Sequence, residues 1–163
     1  MNHIRELLVK NEQLKPHRQR KKPYRKPDSI KELENRYFEY ERSKKPNFPY
    51  PVMTKFRDDT ANGLTRIIKA WFTVNGGYVS RINTTGIYDV KLRRYRFSGS
   101  TNGVADLIGT YKSRSISVEV KIGKDRQSEK QKDYQSQVER AGGIYIIARS
   151  FEGFLKQINI INN

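Results

Sequence analysis

Five nearly all-apolar residues, Ile144-Tyr145-Ile146-Ile147-Ala148, follow the stop signal Gly142-Gly143. A run so short and so apolar reads as a strand in a sheet covered on both faces, so helices are needed on either side of it. The rest of the second half fits that requirement. Asp58, Asp59 or Thr60 can cap a helix on which Leu64, Ile67, Ile68, Trp71 and Phe72 fall at i, i+3, i+4, i+7 and i+8. Asn75-Gly76-Gly77 ends that helix, and Tyr78–Ile82 reads as a strand. Ala105–Lys112 and Ser115–Ile122 read as a hairpin, Ser128–Ala141 as a helix and Phe151–Ile158 as a closing helix. Residues 83–103 read as a long polar connection with a short ribbon around Tyr88–Phe97. The expected fold is α/β: a mixed β-sheet flanked by helices.

The chain changes character near residue 58. Residues 1–57 carry a net charge of +9 and are expected to form a basic, partly helical N-terminal extension with a linker. Residues 58–163 carry +7 and form the expected folded domain. Within the extension, residues 2–14 and Asp28 to about Ser43 read as helices, with Asp28 or Ser29 placed to cap the second. Between them, Lys15–Lys26 holds seven basic residues and no acid, an extended arm until it meets a phosphate backbone. Arg18, Arg20, Lys21, Lys22, Arg25 and Lys26 are its nucleic-acid-binding candidates. Lys44–Pro51 is proline-rich and reads as linker.

The formal charge of +16 over 163 residues points to a polyanionic partner, with nucleic acid the commonest, although charge alone would also suit a membrane surface. No run is apolar enough to span a bilayer and no signal peptide is visible, so a cytosolic protein without a membrane partner is expected. There is no cysteine, which excludes disulfides, thiolate zinc sites and a cysteine nucleophile. The only histidines, His3 and His17, lie in the extension, so a Ser-His-Asp triad is hard to assemble. Any chemistry falls to carboxylates, lysine and a hard cation.

One constellation has those parts. Asp106 stands near the start of one hairpin strand, and Glu119 and Lys121 stand two apart on the next. Strand alternation puts Glu119 and Lys121 on one face, and hairpin pairing lets Asp106 approach Glu119. Two carboxylates can hold Mg²⁺ or Mn²⁺, and a lysine beside them can orient or deprotonate water or stabilise charge on a phosphate. Taken alone, Glu-x-Lys on a strand is more often an ordinary ion pair. Likewise Ser128-Glu129-Lys130-Gln131 fits a capping box, which would account for Gln131 without chemistry. Arg81, on the strand leading to the site, either touches phosphate or faces solvent.

Gly103-Val104-Ala105-Asp106, twelve further residues and then Glu119-Val120-Lys121 resemble the signature of the PD-(D/E)XK nuclease superfamily. Gly123-Lys124-Asp125-Arg126-Gln127-Ser128, Gln131 and Ala141-Gly142-Gly143-Ile144-Tyr145 are similar to its phage-type and VRR-NUC branch, which includes relatives of Holliday-junction resolvases. The resemblance covers about residues 58–158. It implies a restriction-endonuclease-like core and hydrolysis of DNA, with branched or flapped forms as candidate substrates. It also implies a metal held by Asp106, Glu119 and the Val120 carbonyl, a catalytic Lys121 and a supporting Gln131. A homodimer and a phage or bacterial setting, the virion included, go with it. Two departures stand out. Ala105 replaces the proline of the family name, and Asn62 is the candidate for the place where many members carry a metal-binding glutamate. The alternative is a nucleic-acid-binding or virion structural protein that keeps the fold without the chemistry.

Overall fold

In the computed structural model, residues 23–50, 52–82, 88–95 and 103–160 are described. The expected helix over 2–14 and four arm candidates, Arg18, Arg20, Lys21 and Lys22, lie outside them. Helix α1 (Asp28–Lys44) begins directly behind Pro27, whose extended backbone cannot continue a helix upstream. Neither Asp28 nor Ser29 caps it. Asp28 pairs instead with Lys31, and the first turn closes through the Ile30 N–H on the Pro27 carbonyl. Helix α2 (Ala61–Val74) is capped by Thr60, whose hydroxyl accepts the Gly63 N–H at 3.1 Å. Its predicted stripe of Leu64, Ile67, Ile68, Trp71 and Phe72 is buried throughout.

Strands β1 (Tyr78–Arg81), β4 (Leu107–Tyr111), β5 (Arg114–Val120) and β6 (Ile144–Ala148) form one sheet in that order. β1–β4 and β4–β5 are antiparallel and β5–β6 is parallel, so the sheet is mixed, as expected. Lys112 and Ser113, both with φ above zero (47° and 61°), make the tight turn between β4 and β5. Between β1 and β4 the chain forms a separate ribbon, β2 (Tyr88–Asp89) against β3 (Arg94–Tyr95), within the predicted region. Helix α3 (Glu129–Arg140) connects β5 to β6, and α4 (Phe151–Ile160) closes the order. Among the described residues, no helix is long and apolar enough to cross a membrane.

Helices α1, α2 and α4 cover one face of the sheet and α3 covers the other. On the first face, Ile116, Val118 and Val120 of β5 meet the α2 stripe and Phe151, Phe154 and Ile158 of α4. Trp71 is the hub, with edge-on contacts to Phe72, Tyr111 and Phe154 at centroid distances of 5.2, 5.1 and 5.2 Å. Ile30, Leu33 and Phe56, which fall in the stretch read as extension and linker, belong to the same cluster. Each buried side chain of this size is worth about 1.5–3 kcal/mol, so α1 shares the core of the sandwich.

Two buried carboxylates tie this segment down. Glu34 pairs with Lys26 and Lys55 and accepts the Phe56 N–H. Burial alone would raise its pKa, but these partners hold it below the usual glutamate value. Asp58 accepts the Tyr24 hydroxyl at 2.8 Å on one oxygen and caps α4 through the Phe151 N–H at 3.0 Å on the other. Of the two described arm candidates, Lys26 is therefore engaged with Glu34, while Arg25 is exposed.

Candidate active site

The covered face opposite the main core carries a polar stripe. Ser117, Glu119 and Lys121 alternate with Ile116, Val118 and Val120 along β5 and its exit, and all three are buried. Glu119 is 1% exposed and Lys121 6%, values rare for charged residues without partners. They emerge on the same face, as the spacing predicted, and Lys121 Nζ lies 3.0 Å from Glu119 Oε1. The ordinary ion-pair reading of Glu-x-Lys fits this geometry. Asp125, which sequence reasoning passed over as a site residue, holds the same ammonium at 3.5 Å. Burial would lower the Lys121 pKa, yet these two carboxylates outweigh it and leave it raised.

Gln131 sits where both of its readings require. Its Oε1 accepts the Ser128 N–H at 2.9 Å while the Ser128 hydroxyl accepts the Gln131 N–H, completing the capping box. Its Nε2 donates to Glu119 Oε1 at 2.6 Å. A backbone N–H on one side and a carboxylate on the other fix which end of the amide is oxygen. One side chain therefore starts α3 and pins the buried glutamate.

Asp106 lies just before β4, half-buried, and its Oδ2 accepts the Val120 N–H at 2.9 Å. In a strand, the N–H and C=O of one residue point to the same side, so the Val120 carbonyl is directed toward Asp106 as well. Gly103 places this segment. Its φ is +82°, and a Cβ there would stand 2.2 Å from the Lys130 carbonyl, so only glycine lets the strand entry close against the first turn of α3. Ala105, in the position of the expected proline, is fully buried.

Glu119 has one oxygen crowded and one poorly satisfied. Oε1 receives Lys121 and Gln131, whereas Oε2 is buried without a hydrogen bond of normal geometry, although the Asp106 backbone N–H also faces the carboxylate. Burial pushes the Glu119 carboxyl above the usual value; the Lys121 hydrogen bond opposes that shift and the Asp106 charge adds to it. Leaving a buried charged acceptor unbonded costs several kcal/mol in general, which an added cation would offset. Tyr145 on β6 is a second poorly satisfied group. Its hydroxyl is buried without a hydrogen bond of normal geometry, Gln127 being its nearest polar partner, and its ring meets Tyr134 of α3 at 6.2 Å. Its pKa is raised by burial and then by the Glu119 charge, with Gln127 opposing the shift. The signal for Tyr145 was its place as the one polar tip in an aliphatic strand.

The remaining candidates are more distant from this centre. Asn62 is exposed on the first turn of α2, lining a depression with Lys55, Arg57, Thr60 and Arg66. Among the described residues no hydrogen bond or ion pair joins it to Asp106 or Glu119. Arg81 is exposed at the end of β1 and pairs in register with Leu107, one residue from Asp106. Among the described residues no three acidic, histidine or cysteine side chains form a metal cluster.

Neither a family model, nor a curated protein, nor a solved structure matches the chain. Any functional reading therefore rests on the site itself.

The donor set fits a hard cation in part. Asp106, Glu119 Oε2 and the Val120 carbonyl offer oxygen ligands only, and Mg²⁺ commonly keeps most of its water shell beside one or two carboxylates.

Proposed function

We propose that this chain is a Mg²⁺- or Mn²⁺-dependent nuclease that hydrolyses DNA phosphodiester bonds on a restriction-endonuclease-like core. The observation that carries the reading is the buried Oε2 of Glu119, which lacks a hydrogen bond of normal geometry, next to Asp106 and a charged lysine. A protein that used Glu119 only for packing would satisfy both of its oxygens.

Asp106, Glu119 and the Val120 carbonyl would hold the cation. When bound, it polarises the phosphate and lowers the pKa of water. Lys121, kept as an ammonium by Glu119 and Asp125, presents positive charge where negative charge grows on the phosphate. Gln131 holds the Glu119 carboxylate so that Oε2 stays turned to the cation side. Arg81 shares its face of the sheet with Leu107 and Val118, opposite Glu119, so a phosphate contact from it would have to pass around the β1 edge. The net charge of +16 supplies affinity for the polyanion, and branched or flapped DNA is the preferred form under this reading.

A second reading has one observation in its favour. Asn62 has no bond to the carboxylates, so the helix contributes no charged ligand, as in a DNA-binding or virion structural protein that has lost the chemistry. One experiment separates the two. Supercoiled plasmid, linear duplex and a four-way junction are incubated with the protein in Mn²⁺ or EDTA, beside Lys121→Ala. Mn²⁺-dependent cutting that vanishes in the variant supports the nuclease. DNA binding without cutting, and no Mn²⁺-dependent thermal stabilisation lost in Asp106→Ala, supports the second reading.

A further inference from the structure

The β2–β3 ribbon is unexplained by the fold. Among the described residues it pairs with neither edge of the four-stranded sheet, and its tip carries exposed apolar groups: Val90 is 79% exposed and Leu92 54%. Lys91, Arg93 and Arg94 alternate with them, also exposed, and residues 90–94 contain no acid. Arg93 adopts a φ of 48°, a backbone state that asparagine or glycine reaches at lower cost. Two apolar points set among three cations suit a surface that is charged outside and apolar between its layers, which describes a nucleic-acid duplex. A purely apolar partner would be repelled by the desolvation of the cations, and an acidic protein surface would leave Val90 and Leu92 without a complement.

The ribbon is rooted at the candidate active site by both ends of its connection. Ile82, the last described residue before it, donates its N–H to the Asp106 carbonyl at 2.8 Å. Gly103, the first described residue after it, abuts the backbone of Lys130 and Gln131. Six peptide steps separate Ile82 from Tyr88, about 20 Å at full extension, so the ribbon starts within about 25 Å of Asp106 once the strand spacing is added. At 3.4 Å per base pair that span covers about seven base pairs.

We infer that the ribbon is a DNA-contacting wedge that grips the duplex on the flank of the scissile phosphate, several base pairs away, with Lys91, Arg93 and Arg94 on the backbone and Val90 and Leu92 against a base step. The inference rests on the nuclease reading for its geometry, but its test does not depend on catalysis. Apolar side chains pushed between bases work best where stacking is already weak, so the wedge favours a junction over a straight duplex.

The test uses the full chain in EDTA, with fluorescence anisotropy on a labelled four-way junction and a labelled linear duplex between 50 and 200 mM salt. Each phosphate contact contributes about 0.9 to the slope of log K against log salt. The triple variant Lys91→Ala, Arg93→Ala, Arg94→Ala should lower that slope by about 1–2.7, the lower end allowing for Asp89 opposite Arg94, and weaken binding roughly tenfold or more at 150 mM. The double variant Val90→Ser, Leu92→Ser should keep the slope and lose the preference for the junction. Far-UV circular dichroism and Trp71 fluorescence check that each variant is folded. Unchanged slope and junction preference in folded variants would overturn the wedge. Should the wild type cut DNA in Mn²⁺ all the same, the nuclease reading survives that failure. A reduced slope with a wild type that cuts nothing would keep the wedge and remove the nuclease.

Discussion

The double duty of Gln131 gives the sharpest test of the site. Gln131→Glu preserves the capping box, because glutamate reaches back to the cap N–H as well as glutamine does. A helix N-terminus also favours the added negative charge by about 0.3–1 kcal/mol. If Gln131 were only a cap, the variant would be as stable as the wild type or slightly more so. The structure says otherwise, since Nε2 lies 2.6 Å from Glu119 Oε1. The change removes a hydrogen bond to a charged group, worth about 1.5–3 kcal/mol, and sets a second carboxylate against the buried one. At an effective dielectric near 20, two unit charges about 4 Å apart repel by about 4 kcal/mol, a ceiling that proton uptake by one of them will cut. The net expectation is a destabilisation of about 2–3 kcal/mol at pH 7, or about 4–12 °C in Tm for a domain of this size. Urea titration followed by Trp71, the single tryptophan and nearly buried, reads it directly. Lowering the pH toward 5 should shrink the penalty as a proton bridges the pair, and Mn²⁺ should shrink it if the cation binds there. A variant as stable as the wild type at pH 7 would refute the Glu119 contact and leave Gln131 as a cap.

The remaining expectations probe other parts of the molecule. The Glu34 pKa is held below its ordinary value of 4.5, so its stabilisation is present above that pH and is lost as pH falls through the folded-state value. The acid limb of a stability–pH curve should therefore be shallower in Glu34→Gln, as measured by urea midpoints between pH 3 and 6. Gly103→Ala meets both a left-handed backbone and the Lys130 carbonyl. It should cost about 2 kcal/mol or more and lower any cutting rate by displacing Asp106, which paired urea and plasmid assays would show. Tyr145→Phe removes a buried hydroxyl whose contact with Gln127 falls short of normal hydrogen-bond geometry, so stability should change by less than about 1 kcal/mol. A clear loss of stability would mean that the hydroxyl is bonded.

Periodicity carried most of the architecture. The α2 stripe, the hairpin and β6 were readable because each buries a regular face, and regular faces leave regular sequences. The polar stripe Ser117, Glu119, Lys121 was legible for the same reason, since alternation needs only the strand. Long-range bonds were another matter. Nothing local announces that Asp58 would pass over α2 and cap α4, or that Lys26 would settle on Glu34, because those choices depend on which helices meet. The place of α1 was obscured by composition: its charged faces resemble a solvated extension, yet Ile30 and Leu33 reach the core. Asp125 was hidden too, because it contacts Lys121 from the chain that leaves β5 and not from a strand.

The two oxygens of Asp58 join Tyr24 to Phe151, positions 34 residues before and 93 after it. Contacts that span so much chain form late in folding, because the entropy of closing the loop is lost before the contact can repay it. The clasp is therefore a finishing step, and it closes only once α4 has docked. Folding order thus doubles as a timer, because Tyr24 gains its fixed place against Asp58 only when the last helix is in place.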